Sequence, residues 1–187
     1  MVKETYINSS DECLVEASLQ GDEQAFEVLV NRYKKMVART VKGILGNSAF
    51  SEDVGQEVFI KLYYSLSSFR GDAKLSTYIQ KIAVNLTINE QKRRKRFFSL
   101  FSRQEDNELY EYDVASDDAE NKRDAKVTVE KALETLEPKF RAVVVMRMLQ
   151  GYSTKETAEI LELPTGTVLS RLSRAQEQLR KYLKNNE

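Results

Sequence analysis

The chain has 187 residues, with 29 Lys and Arg against 29 Asp and Glu, one Cys, two Pro, and neither Trp nor His. The missing histidine leaves Ser-His-Asp and Cys-His nucleophiles without a base, and zinc or di-iron sites of the usual kind without an imidazole. A single thiol, Cys13, excludes an intramolecular disulfide, and the seven scattered Gly build no phosphate-cradling loop. These exclusions point away from an enzyme and from any metal or cofactor. No apolar run approaches the ~18 residues that would span a bilayer. A soluble, cytoplasmic protein without membrane insertion is the expectation.

The zero net charge hides a pattern. Residues 1–100 carry 15 basic and 12 acidic side chains, residues 101–125 carry 3 and 9, and residues 126–187 carry 11 and 8. Two mildly basic blocks flank an acidic strip, Glu105 to Asp124, of low apolar periodicity. The expected fold is all-α: a helical domain over 1–98, a flexible acidic linker over 99–124, and a second small helical domain over 125–187.

In chain order, Leu14, Val15 and Leu19 mark a short helix near 11–20 that ends at Gly21. Asp22 is placed to cap a long helix whose apolar stripe runs from Phe26 through Leu29, Val37 and Val41 to Leu45, stopped at Gly46-Asn47. A third helix, starting from Ser51, gathers Val58, Phe59, Leu62 and Leu66 on one side at 100° per residue. Asp53, Gln56, Glu57, Ile60 and Tyr64 gather on the other. That mixed stripe is either a solvated face carrying a stray apolar residue or a face for a protein partner.

The fourth helix, near 74–97, buries Leu75, Tyr78, Ile79, Ile82 and Leu86. Its opposite side offers Thr77, Lys81, Asn85 and Ile88, followed by Lys92-Arg93-Arg94-Lys95-Arg96. Just before it, the loop Phe69-Arg70-Gly71-Asp72 sets an aromatic beside a cation. Stacking rings next to phosphate-pairing cations suit single-stranded nucleic acid; a core tyrosine and a solvated basic helix end give the same pattern.

The C-terminal block is sharper. Pro138 fits the first turn of a helix running to about Leu149, ended by Gly151. Ser153-Thr154-Lys155-Glu156 forms a capping box for a short helix with Ala158, Ile160 and Leu161. Leu163-Pro164-Thr165-Gly166 makes a tight turn. A long helix follows with Val168, Leu172, Ala175, Leu179 and Leu183 on its apolar stripe. This is a helix-turn-helix, with Thr165 and Thr167 at the groove-entering end and Ser170, Ser173, Arg174, Glu177 and Lys181 facing outward. Arg171 lies at the edge of the stripe, which suits a phosphate contact or a packed stem.

Together these segments resemble the extracytoplasmic-function group of bacterial sigma factors, over nearly the whole chain. Ser-Glu-Asp-Val-Gly-Gln-Glu-Val-Phe at 51–59 resembles the family's core-polymerase-binding helix. Phe-Arg-Gly-Asp-Ala-Lys-Leu-Ser-Thr-Tyr-Ile at 69–79, continuing to Leu86, is similar to the segment that melts and reads the −10 element. Gly151-Tyr152-Ser153 through Ser170-Arg171-Leu172 resembles the −35-reading helix-turn-helix. The resemblance implies that Asp53, Gln56, Glu57 and Ile60 dock on core RNA polymerase. It implies that Phe69, Arg70, Lys74, Ser76, Thr77, Tyr78, Lys81 and Asn85 engage the non-template single strand at −10, with Lys92, Arg93, Arg94 and their neighbours on phosphates. Thr165, Thr167, Ser170, Arg171, Ser173 and Arg174 would meet the −35 duplex, the tether would follow the RNA-exit path, and an anti-sigma factor is the expected inhibitor.

Three departures stand out: Tyr78 where Trp is usual, Asn89 where Asp is usual, and Leu169 with Gln176 where Lys or Arg is frequent. A rival reading is a helix-turn-helix regulator that binds duplex DNA without docking on polymerase; it has no use for the 53–60 stripe or the 69–85 segment. Relative to a family member with cations at both 169 and 176, the loss of about two phosphate contacts should flatten the slope of log K against log salt by roughly 1–2 units, measurable by a salt titration of duplex binding.

Overall fold

The structure is a computed structural model that describes residues 6, 8–46, 49–101 and 129–185; the acidic strip at 105–124 lies outside them. Among the described residues the secondary structure is helical, without strands. Helix α1 spans Asp11–Leu19, α2 Glu23–Leu45, α3 Ala49–Ser65 and α4 Leu75–Phe101, with a 3₁₀ turn at Leu66–Ser68. Residues 129–134 form α5. Helix α6, Pro138–Val144, passes directly into a π turn at Val145–Leu149; α7 is Thr154–Ile160 and α8 is Thr165–Lys184.

Local chemistry sets the boundaries. Asp22 Oδ1 accepts the Gln24 and Ala25 N–H groups at 2.9 and 3.3 Å, and Oδ2 accepts the Tyr6 hydroxyl at 2.8 Å. Gly21 and Gly46 sit at φ +90 and +87, closing α1 and α2 in the left-handed region open to glycine. Asp11, at the start of α1, accepts Arg32 Nη1 at 2.5 Å and the Tyr33 hydroxyl, pinning α1 to α2. Burial and that hydrogen bond push the Tyr33 phenol well above its ordinary value.

Helices α1 to α4 enclose one core, in which Leu14, Leu29, Val41, Val58, Leu62, Leu66 and Ile79 are buried. The C-terminal helices build two smaller clusters, Leu133, Leu136, Phe140, Val144 and Ala175, and Val143, Ala158 and Val168. A fourth cluster belongs to both halves: Ile44 of α2 and Val84 of α4 pack with Ala142, Val145, Met146 and Ile160, each at most 2 % exposed.

Several expectations need correction. Ser51 does not start α3; the helix begins two residues earlier, and the buried Ser51 hydroxyl donates to the Gly46 carbonyl at 2.7 Å. Leu19 and Leu183, assigned to apolar stripes, are 51 % and 40 % exposed because each sits at a helix end beyond its partner's reach. The helix expected over 138–149 widens into a π turn in its last stretch, where Gln150 N–H reaches back to the Val145 carbonyl at 2.9 Å. Val145 and Met146 are thereby buried, whereas Met148 and Leu149 face solvent. The tight turn falls at Leu161–Pro164, so Thr165 and Gly166 already belong to α8. Helix α4 extends past 97 to Phe101.

Leu62→Ala should destabilise the chain by about 2–5 kcal/mol, since a fully buried side chain is deleted. Leu19→Ala should stay within ~0.5 kcal/mol of the parent. Urea denaturation of the two variants checks both.

Candidate nucleic-acid interface

The stripe on α3 is open. Asp53, Gln56 and Glu57 are exposed, and Ile60 and Tyr64 are 57 % and 78 % exposed, while Val54, Val58 and Leu62 on the opposite side are sealed in the core. Beside Tyr64, the Tyr63 ring meets Phe26 edge-on with centroids 5.1 Å apart. An acidic, amide and apolar face held rigid by a buried reverse side is a suitable protein-docking surface.

The loop between α3 and α4 is shaped by two rings. Phe69 and Tyr78 are half-buried with centroids 5.3 Å apart, and the Tyr78 hydroxyl donates to the Ser65 carbonyl at 3.2 Å. Gly71 turns the loop at φ +78. Arg70 and Lys74 project into solvent and Ser76 is half-buried. Cations thus flank an aromatic pair, the chemistry that holds an unstacked base and its phosphates.

The side of α4 expected to be open is only partly so. Thr77 is 5 % exposed, Lys81 is half-buried with its ammonium 3.9 Å from Glu159 of α7, and Ile88 packs against the cluster shared with the C-terminal half. Asn85 and Lys92 are exposed. Arg93 makes a bidentate pair with Glu90 at 2.7 and 3.0 Å, which raises its pKa, and Arg94 lies over the Phe50 ring at 4.4 Å. These two cations are therefore tied to their own domain, and phosphate contacts there would compete with Glu90 and Phe50.

In the helix-turn-helix, Val143, Ala158 and Val168 form the hinge core with Leu161, Leu163 and Leu172 around them. Glu162 adopts φ +53 to make the turn. The capping box is complete: Ser153 Oγ accepts the Glu156 N–H at 3.2 Å, and Glu156 Oε2 accepts the Ser153 N–H at 2.9 Å. Thr165, Ser170, Ser173 and Arg174 are exposed and Thr167 is half-buried, with Ser170 donating to the Thr167 carbonyl. Arg171 does not share that outer face. It is half-buried and lines a cleft of about 370 Å³ between the halves, opposite Asn85 and Lys92.

Three residues absent from the predicted sites join the halves: Gln80, Arg141 and Tyr152. Gln80 Nε2 donates to the Tyr152 hydroxyl at 3.2 Å, and Arg141 Nη1 donates to the Ile44 carbonyl at 2.9 Å. One signal was available: Thr77, Gln80, Val84, Thr87 and Gln91 form an uncharged stripe on α4, which a solvated face would not favour.

With this geometry in hand, the comparisons with known proteins are direct. The Sigma-70 region 2 family matches residues 29–97, and the Sigma-70, region 4 family matches residues 126–179. The chain is 34% identical over 173 residues to the ECF RNA polymerase sigma factor SigW of Bacillus subtilis, covering 89% of this chain and 92% of that one. It is 36% identical over 177 residues to the ECF RNA polymerase sigma-E factor of Escherichia coli K12, covering 90% and 91%. The fold is similar to that of CnrH in complex with the cytosolic domain of CnrY, with a TM-score of 0.69 at 21% identity over 96% of this chain and 100% of that one. It is also similar to RpoE in complex with the anti-sigma factor NepR from Bartonella quintana, with a TM-score of 0.67 at 19% identity over 87% and 98%.

The Ser153 backbone and hydroxyl hold Glu156 below the usual carboxylate range. The stabilisation from the box is therefore present above the ordinary glutamate pKa and lost as pH falls through the lowered value. Ser153→Ala keeps the backbone N–H, the larger cause, so it should raise the Glu156 titration only part-way toward its ordinary midpoint, read by carboxyl chemical shifts.

Proposed function

Because the chain belongs to the extracytoplasmic-function family of RNA polymerase sigma factors, we propose how its surfaces divide the work of starting transcription. A sigma factor confers promoter recognition on core RNA polymerase. Residues 1–98 form the polymerase-docking and −10-reading unit, 99–124 the tether, and 125–187 the −35-reading unit. The outward stripe Asp53, Gln56, Glu57 and Ile60 docks on the polymerase.

Once polymerase is bound, the loop carrying Phe69, Arg70 and Lys74, together with Ser76, Thr77, Tyr78, Lys81 and Asn85, takes a base from the non-template strand. Extruding a base costs a few kcal/mol of stacking, so the ring pair and the flanking cations must offset it together. Thr77 is buried and Lys81 half-buried beside Glu159 in this structure, so both contribute only after a local rearrangement. Lys92, Arg93 and Arg94 hold phosphates. Thr165, Thr167, Ser170, Ser173 and Arg174 face the −35 major groove, with Arg171 on the adjoining phosphates. Inhibition by an anti-sigma partner completes the reading, in keeping with the complex in which RpoE was seen.

The observation that carries this reading is the exposure of a mixed, partner-type stripe on α3 alongside an aromatic-cation loop and a capped helix-turn-helix. Run-off transcription with purified core polymerase and a pool of promoter fragments tests it. Discrete transcripts should appear with the chain, and fall at least tenfold when Asp53 and Glu57 are changed to Ala. Tight duplex binding by the chain alone, with no transcripts, would point to a polymerase-independent regulator instead.

A further inference from the structure

We propose that the cleft between the halves is a binding site for a small phosphate monoester carried on an apolar body, of the alkyl phosphate type. The site stands on its own geometry and does not depend on the sigma-factor reading above.

The cleft has a volume of about 370 Å³. That lies at the low end of the roughly 300–1,000 Å³ of small-molecule sites, so it admits one ligand of modest size and neither a helix nor a duplex. Its lining is apolar on one part and cationic on another. Val84 and Ala142 are each 1 % exposed, and Ile88, Leu161 and Leu163 are half-buried around them. The polar part is Asn85, Lys92 and Arg171, whose side chains make no hydrogen bond or ion pair with any described residue. The two other charges at the cleft answer each other, with Lys139 Nζ 2.7 Å from Glu137. Two cations are left without an anion of the protein's own. Val84, Ile88 and Lys92 recur four residues apart, so one face of α4 supplies both apolar floor and charge, while Arg171 comes from α8.

This arrangement calls for an anion. Arg171 is half-buried and has given up hydration that no described acceptor replaces. Two like charges on one cleft also repel. A phosphate monoester carries about −1.5 to −2 near neutral pH, which matches two cations, and its oxygens accept from a guanidinium, an ammonium and an amide together. A carboxylate would leave one cation unanswered. The head chemistry is that of the strand phosphates to which the reading above assigns Lys92 and Arg171. The apolar floor is what a DNA backbone leaves unused, and it selects a ligand with a hydrocarbon body. No aromatic ring lines the cleft, so a stacked base is the poorer fit.

Calorimetric titration of the full chain with octyl phosphate tests the site, and one saturable site per chain is expected. Affinity should rise from inorganic phosphate through butyl phosphate to octyl phosphate by at least about tenfold, since each buried methylene is worth roughly fourfold. Octanoate should bind more weakly than octyl phosphate. Arg171→Ala and Lys92→Ala should each weaken octyl phosphate at least about fivefold with helical content unchanged. Lys131→Ala, at an exposed cation outside the cleft, should match the parent. Ile88→Ser should flatten the rise along the phosphate series. Absence of saturable binding overturns the proposal. So does binding that Arg171→Ala and Lys92→Ala leave unchanged, or inorganic phosphate or octanoate binding as tightly as octyl phosphate.

Discussion

The Arg141 guanidinium is the bond between the two halves on which the arrangement turns. Helix α2 ends at Leu45, leaving its last carbonyls without intrahelical partners. Arg141 Nη1 takes the Ile44 carbonyl at 2.9 Å, while Nη2 takes the Glu134 and Leu136 carbonyls at 2.6 and 3.2 Å. One planar side chain thus ends a helix of the N-terminal half and fixes the entry of α6 in the C-terminal half. Burial lowers its pKa, with Glu134 opposing, and its Nε has no acceptor. Such a charge is tolerable inside only while all these carbonyls are in place, so truncating it would leave buried acceptors on both halves unsatisfied.

From that point the geometry propagates. With Arg141 seated on α2, Ala142, Val145 and Met146 fall against Ile44 and Val84, and the π turn directs Tyr152 toward Gln80. Helix α7 then lies along α4, which brings Glu159 to Lys81 and Arg171 to the cleft beside Asn85 and Lys92. The exposed stripe Asp53, Gln56, Glu57 and Ile60, which we propose docks on polymerase, takes no part in this. Thr77 is buried and Lys81 and Arg171 half-buried beside this contact, while Arg70, Lys74, Thr165, Ser170, Ser173 and Arg174 stay exposed.

Local rules read the chain well where local chemistry decides. Asp22 as a cap, the Ser153–Glu156 box and the core face of α3 were all legible, because each depends on residues within a turn or two. Thr77 was placed on an open face, yet in the structure it is 5 % exposed. Gly43 looked like any scattered glycine until Val145 arrived from 102 residues away in sequence, and Gln80 meets Tyr152 from 72 residues away. Arg93 and Arg94 were legible as charge but not as charge already engaged by Glu90 and Phe50.

The central claim is that the free chain shares one core between its halves. Methyl–methyl nuclear Overhauser effects in the full-length protein without polymerase or DNA test it most directly. The account predicts cross-peaks from Ile44 and Val84 to Val145 and Ile160. Their absence, with the two halves tumbling at independent rates, would contradict it.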